Sequence, residues 1–232
     1  EKPLKKFNKL NKVGSDKNRL LARESVKKSV VMLKNNQNTL PISKNIKNIL
    51  VAGEHSDNIG YQCGGWSIWW QGGSGKITKG TSILDGIKNQ VQDDVNIIHS
   101  KEGNIDNDHD IIIAAIGEKP YAEMNGDRES LELSEEHIEL VKKLSKSDKP
   151  IILVLISGRP MILEPILENC DAILAAWLPG TEGAGISDII FGDFKPTAKL
   201  SFSWPKNMDQ IPINIGDKPY SPLYQLGYGL TF

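Results

Sequence analysis

The sequence predicts an α/β domain built on a doubly wound, mostly parallel sheet sandwiched by helices. Three observations carry that expectation. Short apolar runs recur along the 232 residues, and each ends at a glycine-containing turn. The runs are continuous rather than alternating, as strands buried on both faces must be. Stretches with helical apolar spacing lie between them, and strand–helix alternation implies an open sheet with right-handed crossovers.

Residues 1–15 are polar and basic, with Lys2, Lys5, Lys6, Lys9 and Lys12 beside the breakers Pro3 and Gly14. Such a run is expected to be a solvated connecting segment. A helix is expected from Asp16 as N-cap, with Ala22, Val26, Val30 and Leu33 as its buried stripe. Asn35, Asn36, Asn38 and Pro41 then stop it. Strands are expected at Ile49–Ala52, Ile111–Ile116, Ile151–Ile156 and Ile173–Trp177, ending at Gly53, Gly117, Ser157-Gly158 and Pro179-Gly180. Helical patterns fill Ser82–Val91, Ser134–Leu144, Met161–Glu168 and Gly183–Phe191. After Phe191 the chain turns Pro-rich, with strand-like pieces at Lys199–Trp204 and Tyr228–Phe232. Residues 16–232 read as one domain without internal repeats.

The composition excludes several classes of function. Apolar content of 39%, charged content of 25% and a formal net charge of -1 describe an ordinary globular chain. Nucleic acid is not expected as a partner, because phosphate binding wants a concentrated basic face. No apolar run approaches the ~18 residues of a membrane span. Cys63 and Cys170 are too far apart and too isolated to build a disulfide framework or a zinc site. His55, His99, His109 and His137 share no spacing that would bind a metal, so no metal or cofactor is expected. The chain opens on Glu1 rather than Met, which leads to the expectation of an upstream segment.

In doubly wound sheets the ligand site lies outside the carboxyl ends of the strands. That rule selects two unusual loops. The first runs Gly60-Tyr61-Gln62-Cys63-Gly64-Gly65-Trp66-Ser67-Ile68-Trp69-Trp70-Gln71-Gly72-Gly73 and holds three of the five tryptophans. Flat indoles stack on the apolar faces of sugars or bases, and glycines allow close backbone approach; packing that anchors the loop is the competing reading. Gly72-Gly73-Ser74-Gly75-Lys76 fails as a phosphate loop, because Trp70 takes the first glycine position and Ile77 the Ser/Thr position.

The second loop, Gly117 to Asp127, is rich in carboxylates: Glu118, Glu123 and Asp127, with Glu129 just beyond. A general acid needs a raised pKa in a partly apolar setting, and Glu123 between Tyr121 and Met124 fits that better than Glu129. Solvation or helix capping before Ser134 is the alternative. Ser157 lacks the glycine pattern of a nucleophile elbow. Arg159 is expected to tie down neighbouring loops, and Glu182 to cap the helix that follows it.

Taken together and in order, these stretches resemble glycoside hydrolase family 3. So do Ser157-Gly158-Arg159-Pro160, Trp177-Leu178-Pro179-Gly180, Phe191-Gly192-Asp193-Phe194 and the ending Gly227-Tyr228-Gly229-Leu230. The likeness is closest to two-domain β-D-glucan exohydrolases and bacterial cellodextrin-type β-glucosidases. It implies that residues 1–15 leave an N-terminal (β/α)8 barrel that carries a nucleophilic aspartate, and that this domain supplies the acid/base, Glu123. Trp66 would be one of two indoles clamping the sugar beyond the cleavage point, with Trp69 and Trp70 as further substrate contacts. Trp69 stands where the family has a polar residue. The implied substrate is a β-glucoside or β-glucan oligosaccharide cut by a retaining, exo-acting reaction that needs no cofactor, in a periplasmic or secreted setting. A noncatalytic carbohydrate-binding or scaffold domain is the rival, and a nucleotide-binding α/β domain a remoter one.

Overall fold

The computed structural model describes residues 12–105 and 108–232. Among these, six strands form one sheet: β1 (Val31–Asn35), β2 (Asn48–Ala52), β3 (Asn96–Ser100), β4 (Ile111–Gly117), β5 (Ile151–Ile156) and β6 (Ala172–Trp177). Their spatial order is β1-β6-β5-β4-β2-β3. All neighbours run parallel except β1, which lies antiparallel to β6 at one edge. Every residue of β4 and β5 is buried, which accounts for the unbroken apolar runs.

The two faces of the sheet build two cores by strict alternation. Met32, Ile49, Val51, Ile113, Ala115, Ile152, Val154, Ile156 and Leu174 face one side. There they meet Val26 of α1 (Asp16–Ser29), Ile83 and Ile87 of α3 (Ile83–Lys88), and Ile186, Ile189 and Ile190 of α5 (Ala184–Ile190). The residues between them, such as Leu50, Ile112, Ile116, Leu153 and Leu155, meet Val141 and Leu144 of α4 (Glu135–Leu144), with Leu163, Ile166 and Trp204. Each fully buried Leu or Ile contributes roughly 1.5–3 kcal/mol relative to exposure, so the two-sided central strands dominate the stability.

Several expected elements differ from the structure. The first helix ends at Ser29, not at Leu33, and Val31 to Asn35 form strand β1. Val30 and Met32 enter one core while Val31 and Leu33 enter the other, a period of two that only a strand provides. Asp16 is the first helical residue and Ser15 the cap position; Asp16 instead places its charge at the positive helix end. The connecting segment expected over residues 1–15 lies outside the described residues up to residue 11. Strand β3 is an edge strand that offers only Ile97 and Ile98 as apolar residues, too few to mark a strand in the sequence. Where a helix is expected over Met161–Glu168 the chain forms a 3₁₀ turn, Glu164–Asn169, with Pro165 removing a donor near its start. The pieces after Lys199 form isolated bridges, Trp204 to Tyr224 and Met32 to Leu230, rather than strands.

The chain passes from β2 outward to β3, then returns to β4 on the other side of β2. The strand order therefore reverses between β2 and β4, and the loops that follow these two strands flank the switch point.

Candidate active site

The loop after β2 is folded back on itself by buried amides. Asn58 caps α2 (Ile59–Cys63) by accepting from Tyr61 N, and also accepts from Gly75 N at 2.7 Å and donates to Ser74 Oγ at 2.9 Å. Gln62, fully buried, accepts from Ile83 N at 3.1 Å and donates to Gly180 O at 3.1 Å. One side chain thus ties α2 to the start of α3 and to the loop after β6. The glycines that follow serve the approach of loop to loop. A Cβ at Gly65 would stand 2.0 Å from Tyr121 O, and one at Gly72 would stand 2.5 Å from Pro120 Cβ.

Between those glycines, residues 66–70 form a tight hairpin in which Trp66 N donates to Trp70 O at 2.8 Å. Trp66 and Ile68 adopt positive φ, 58° and 67°. For a β-branched residue such as Ile68 that conformation is strained, and strain of this kind collects at functional sites. The hairpin holds its indoles outward: Trp66, Trp69 and Trp70 are 70%, 57% and 42% exposed. The Trp66 and Trp70 rings lie 6.3 Å apart at 55°. Trp69 belongs to the same hairpin, with the edge of its ring against Gly73.

The loop after β4 meets this hairpin. Its first carboxylate, Glu118, is buried and is neither a cap nor a solvated group. It pairs with Arg159 at 3.1 Å and Arg128 at 3.4 Å, and accepts from Tyr121 Oη at 3.1 Å. Arg159 also donates to Tyr121 Oη at 2.8 Å and lies 4.2 Å from the centre of its ring. Burial and the Glu118 charge push the Tyr121 phenol up. On this base the chain turns at residues 123–126, with Met124 at φ 69°, and Glu123 projects into solvent.

Glu123 accepts a 2.7 Å hydrogen bond from Trp70 Nε1. That bond, with smaller help from the loop backbone and the Trp66 indole, holds its carboxyl below the usual range. The apolar, water-poor setting expected around Glu123 is therefore absent in this domain. Tyr121 turns under the loop toward Arg159, and Met124 is exposed. The structure brings Glu123, Trp70 and Trp66 into one contiguous surface. Asp127 and Glu129 are exposed beyond the turn.

Two residues of the supporting frame carried no signal in the sequence. Gln71 binds the Glu123 loop through its side-chain amide, accepting from Ala122 N at 2.9 Å. His55, buried beneath Glu118, offers Nε2 to the Glu118 carbonyl at 3.1 Å. Glu182 departs from its expected role: it pairs with Arg19 at 3.2 Å, and the cap position of α5 is Gly183 with no side-chain bond. A groove of about 1330 Å³ is lined by His55, Tyr61, Glu118, Tyr121, His137 and Arg159. It includes neither Glu123 nor the indoles. The candidate site is the indole surface, where an exposed carboxylate and exposed aromatic rings converge. Among the described residues, no group of three or more His, Cys, Asp or Glu is arranged to hold a metal. No helix among them is long and apolar enough to cross a membrane.

Residues 30–232 match the model of the glycosyl hydrolase family 3 C-terminal domain. The chain belongs to that family. It is 33% identical to a lysosomal β-glucosidase of Dictyostelium discoideum, over 95% of this chain and 30% of that protein. A periplasmic β-glucosidase of Salmonella typhimurium is 31% identical over 91% of the chain and 34% of its own length. A β-xylosidase of Formosa agariphila is 32% identical over 100% and 36%. Among solved structures, the Q683A mutant of an exo-1,3/1,4-β-glucanase from Pseudoalteromonas superposes with a TM-score of 0.89 at 42% identity. That alignment covers 94% of this family 3 domain and 37% of the glucanase chain. The chain thus spans about a third of the length of the relatives it matches.

Proposed function

We propose that this family 3 domain supplies the acid/base, Glu123, of a retaining, exo-acting β-glucosidase that releases glucose from β-glucans or cello-oligosaccharides. The observation that carries the reading is the junction of the two switch-point loops, where the Glu123 carboxylate meets the exposed indole surface. A carboxylate presented this way faces a surface outside its own domain. An N-terminal (β/α)8 barrel carrying a nucleophilic aspartate is the proposed source of that surface, so the domain alone is catalytically incomplete.

In the proposed reaction the aspartate attacks the anomeric carbon while Glu123 protonates the departing oxygen. Glu123 then deprotonates the water that releases the sugar, with the two carboxyls about 5–5.5 Å apart. The lowered pKa keeps Glu123 ionised, the form in which it enters the second step. Closure of a second wall over it removes water and raises its pKa toward what the first step needs. Trp66, the most exposed indole, stacks on the sugar beyond the cleavage point, with Trp69 and Trp70 beside it. A β-glucoside is favoured by the β-glucosidases and the exo-β-glucanase among the relatives, and a periplasmic or secreted location by the periplasmic one.

The reading is tested in the enzyme that joins this domain to its barrel. Glu123→Gln is expected to cut hydrolysis of a disaccharide by about 10²–10⁴-fold while largely sparing the first step on aryl glucosides with good leaving groups. Added azide then restores turnover and yields a β-glucosyl azide. Equal loss on both substrate types without an azide product removes Glu123 from the role, and leaves a noncatalytic sugar-binding surface as the reading that fits the indoles.

A further inference from the structure

The hairpin grips the Glu123 loop through two consecutive residues. Trp70 Nε1 donates to Glu123 Oε2 at 2.7 Å. Gln71 Nε2 donates to the Glu123 carbonyl at 3.2 Å, and Gln71 Oε1 accepts from Ala122 N at 2.9 Å. The amide therefore holds the backbone on both sides of the Glu123 Cα, while the indole holds the side chain. The loop's own bonds, Asn125 N to Glu123 O at 2.9 Å and Gly126 N to Ala122 O at 2.8 Å, complete the turn.

We propose that Trp70 and Gln71 are positioning residues for the acid/base: Gln71 fixes the backbone at Ala122 and Glu123, and Trp70 selects Oε1 as the oxygen that carries the transferable proton. The inference rests on the acid/base reading of Glu123 and adds to it which atom acts and what aims it. An indole N–H is a donor only. An oxygen that accepts from it at 2.7 Å is best kept unprotonated, and the proton goes to its twin. In the first step the Oε1–H bond breaks and its proton passes to the glycosidic oxygen, which takes the electron pair of the breaking bond to the anomeric carbon. In the second step a proton of water passes to Oε1 as the water oxygen bonds to that carbon and the aspartate leaves. Trp70 gives up no proton in either step. It is also the least exposed of the three indoles, and its edge is committed to Glu123. Trp66, more open, remains the stacking ring.

The test compares Trp70→Phe, which keeps an aromatic ring and loses the N–H, with Gln71→Met, which keeps the length and loses the amide. Both are made in the enzyme that joins this domain to its barrel. Each variant is expected to lower kcat on a disaccharide about 10–100-fold with KM within about twofold, since misplacing a catalytic group costs this much. Only Trp70→Phe also moves the basic limb of the kcat/KM profile, which reports deprotonation of the acid. Removing a donor to the carboxylate disfavours its charged form, so that limb shifts to higher pH. A ring that merely stacks on sugar changes KM and leaves the limb where it was. If Trp70→Phe leaves both kcat and the basic limb unchanged while Glu123→Gln shows the azide product, the positioning role is wrong and the acid/base reading stands. If Glu123→Gln lacks that product, both fall together.

Discussion

Two groups of tryptophans in this molecule show how context decides what an indole does. Trp66, Trp69 and Trp70 sit on a glycine-bounded hairpin with 42–70% of their surface open, and the polar edge of Trp70 meets a carboxylate. Trp177 and Trp204 sit 6.0 Å apart with Phe202 against both. Trp204 is fully buried and its Nε1 donates to the Met161 carbonyl at 2.8 Å; Trp177 donates to the Ser29 carbonyl at 3.0 Å. The second group satisfies its N–H groups on backbone and closes the layer over β1, β5 and β6. The first leaves its ring faces to solvent and spends one N–H on a charge. Indoles that only anchor a loop would be expected to resemble the second group.

That contrast is broken most directly from the buried side. Trp204→Ala is expected to destabilise the domain by about 3–5 kcal/mol, through lost burial and the cavity left behind. A melting temperature lower by about 6–20 °C would register it for a domain of this size. The Met161 carbonyl also loses its partner. Trp204→Phe should recover most of the packing and leave about 1–3 kcal/mol for the unpaired carbonyl. Activity per folded molecule is expected to hold in both. A melting temperature unchanged in Trp204→Ala would show that the buried cluster is not structural.

Beneath the exposed group, His55 supplies a pH-dependent support. It is buried against the Tyr61 ring at 4.8 Å and the His137 ring at 5.4 Å, with Nε2 on the Glu118 carbonyl. Burial holds its pKa down at about 4 against an ordinary 6.5, with smaller like-charge contributions from His137 and Lys119. The unfolded chain therefore takes up the proton first as the pH falls. The stability His55 contributes is complete above about 6.5, is lost as the pH drops from there to about 4, and changes no further below. The loss amounts to about 3 kcal/mol. His137 and His99 are lowered by burial too and act in the same sense, so a variant is needed to isolate His55. Urea unfolding at pH 7 and pH 4.5 should show a smaller acid loss in His55→Gln than in the parent. An equal loss would place the proton uptake elsewhere.

Much of the fold was legible because buried strands leave a compositional trace. Ile111–Ile116 and Ile151–Ile156 cannot be amphipathic, and both occupy the centre of the sheet. Edges leave less. Asn96, His99 and Ser100 dilute β3, while Val30 and Leu33 fit a helical stripe as well as they fit a strand, so local spacing does not separate β1 from the helix before it. At the site, the residues that face outward were legible as a motif, since Trp66 and Glu123 sit in unusual local sequence. The frame was not. Gln71 meets Ala122 across 51 residues, and Arg159 meets Glu118 across 41. Polar contacts of that kind follow from loop geometry, which local spacing does not encode. The electrostatic sense of Glu123 is hidden for the same reason: an apolar neighbour in sequence, Tyr121, is turned away in space.

The mildest intervention sharpens the comparison from the exposed side. Trp66 meets the Trp70 ring and lends minor help to the Glu123 carboxyl, and most of its surface is open, so its removal should cost the fold little. If its faces stack on sugar beyond the cleavage point, substrates that reach there should suffer and short ones should not. By analogy with base–aromatic stacking, that contact is about 1–3 kcal/mol, roughly a 5- to 150-fold effect. Trp66→Ala is therefore expected to lower kcat/KM for a glucose trisaccharide by this factor, with a much smaller change for an aryl glucoside bearing no second sugar. The melting temperature should stay within a degree or two of the parent, because an exposed surface substitution rarely moves stability by more than about 0.5 kcal/mol. The positive φ at residue 66 adds one complication with a known sign. Alanine is no better suited to φ 58° than tryptophan, whereas Trp66→Gly relieves the strain and removes the ring together. Both variants should lose the trisaccharide preference alike if the ring matters. A preference restored in Trp66→Gly alone would mean that the hairpin's shape, not the indole's face, sets the selectivity.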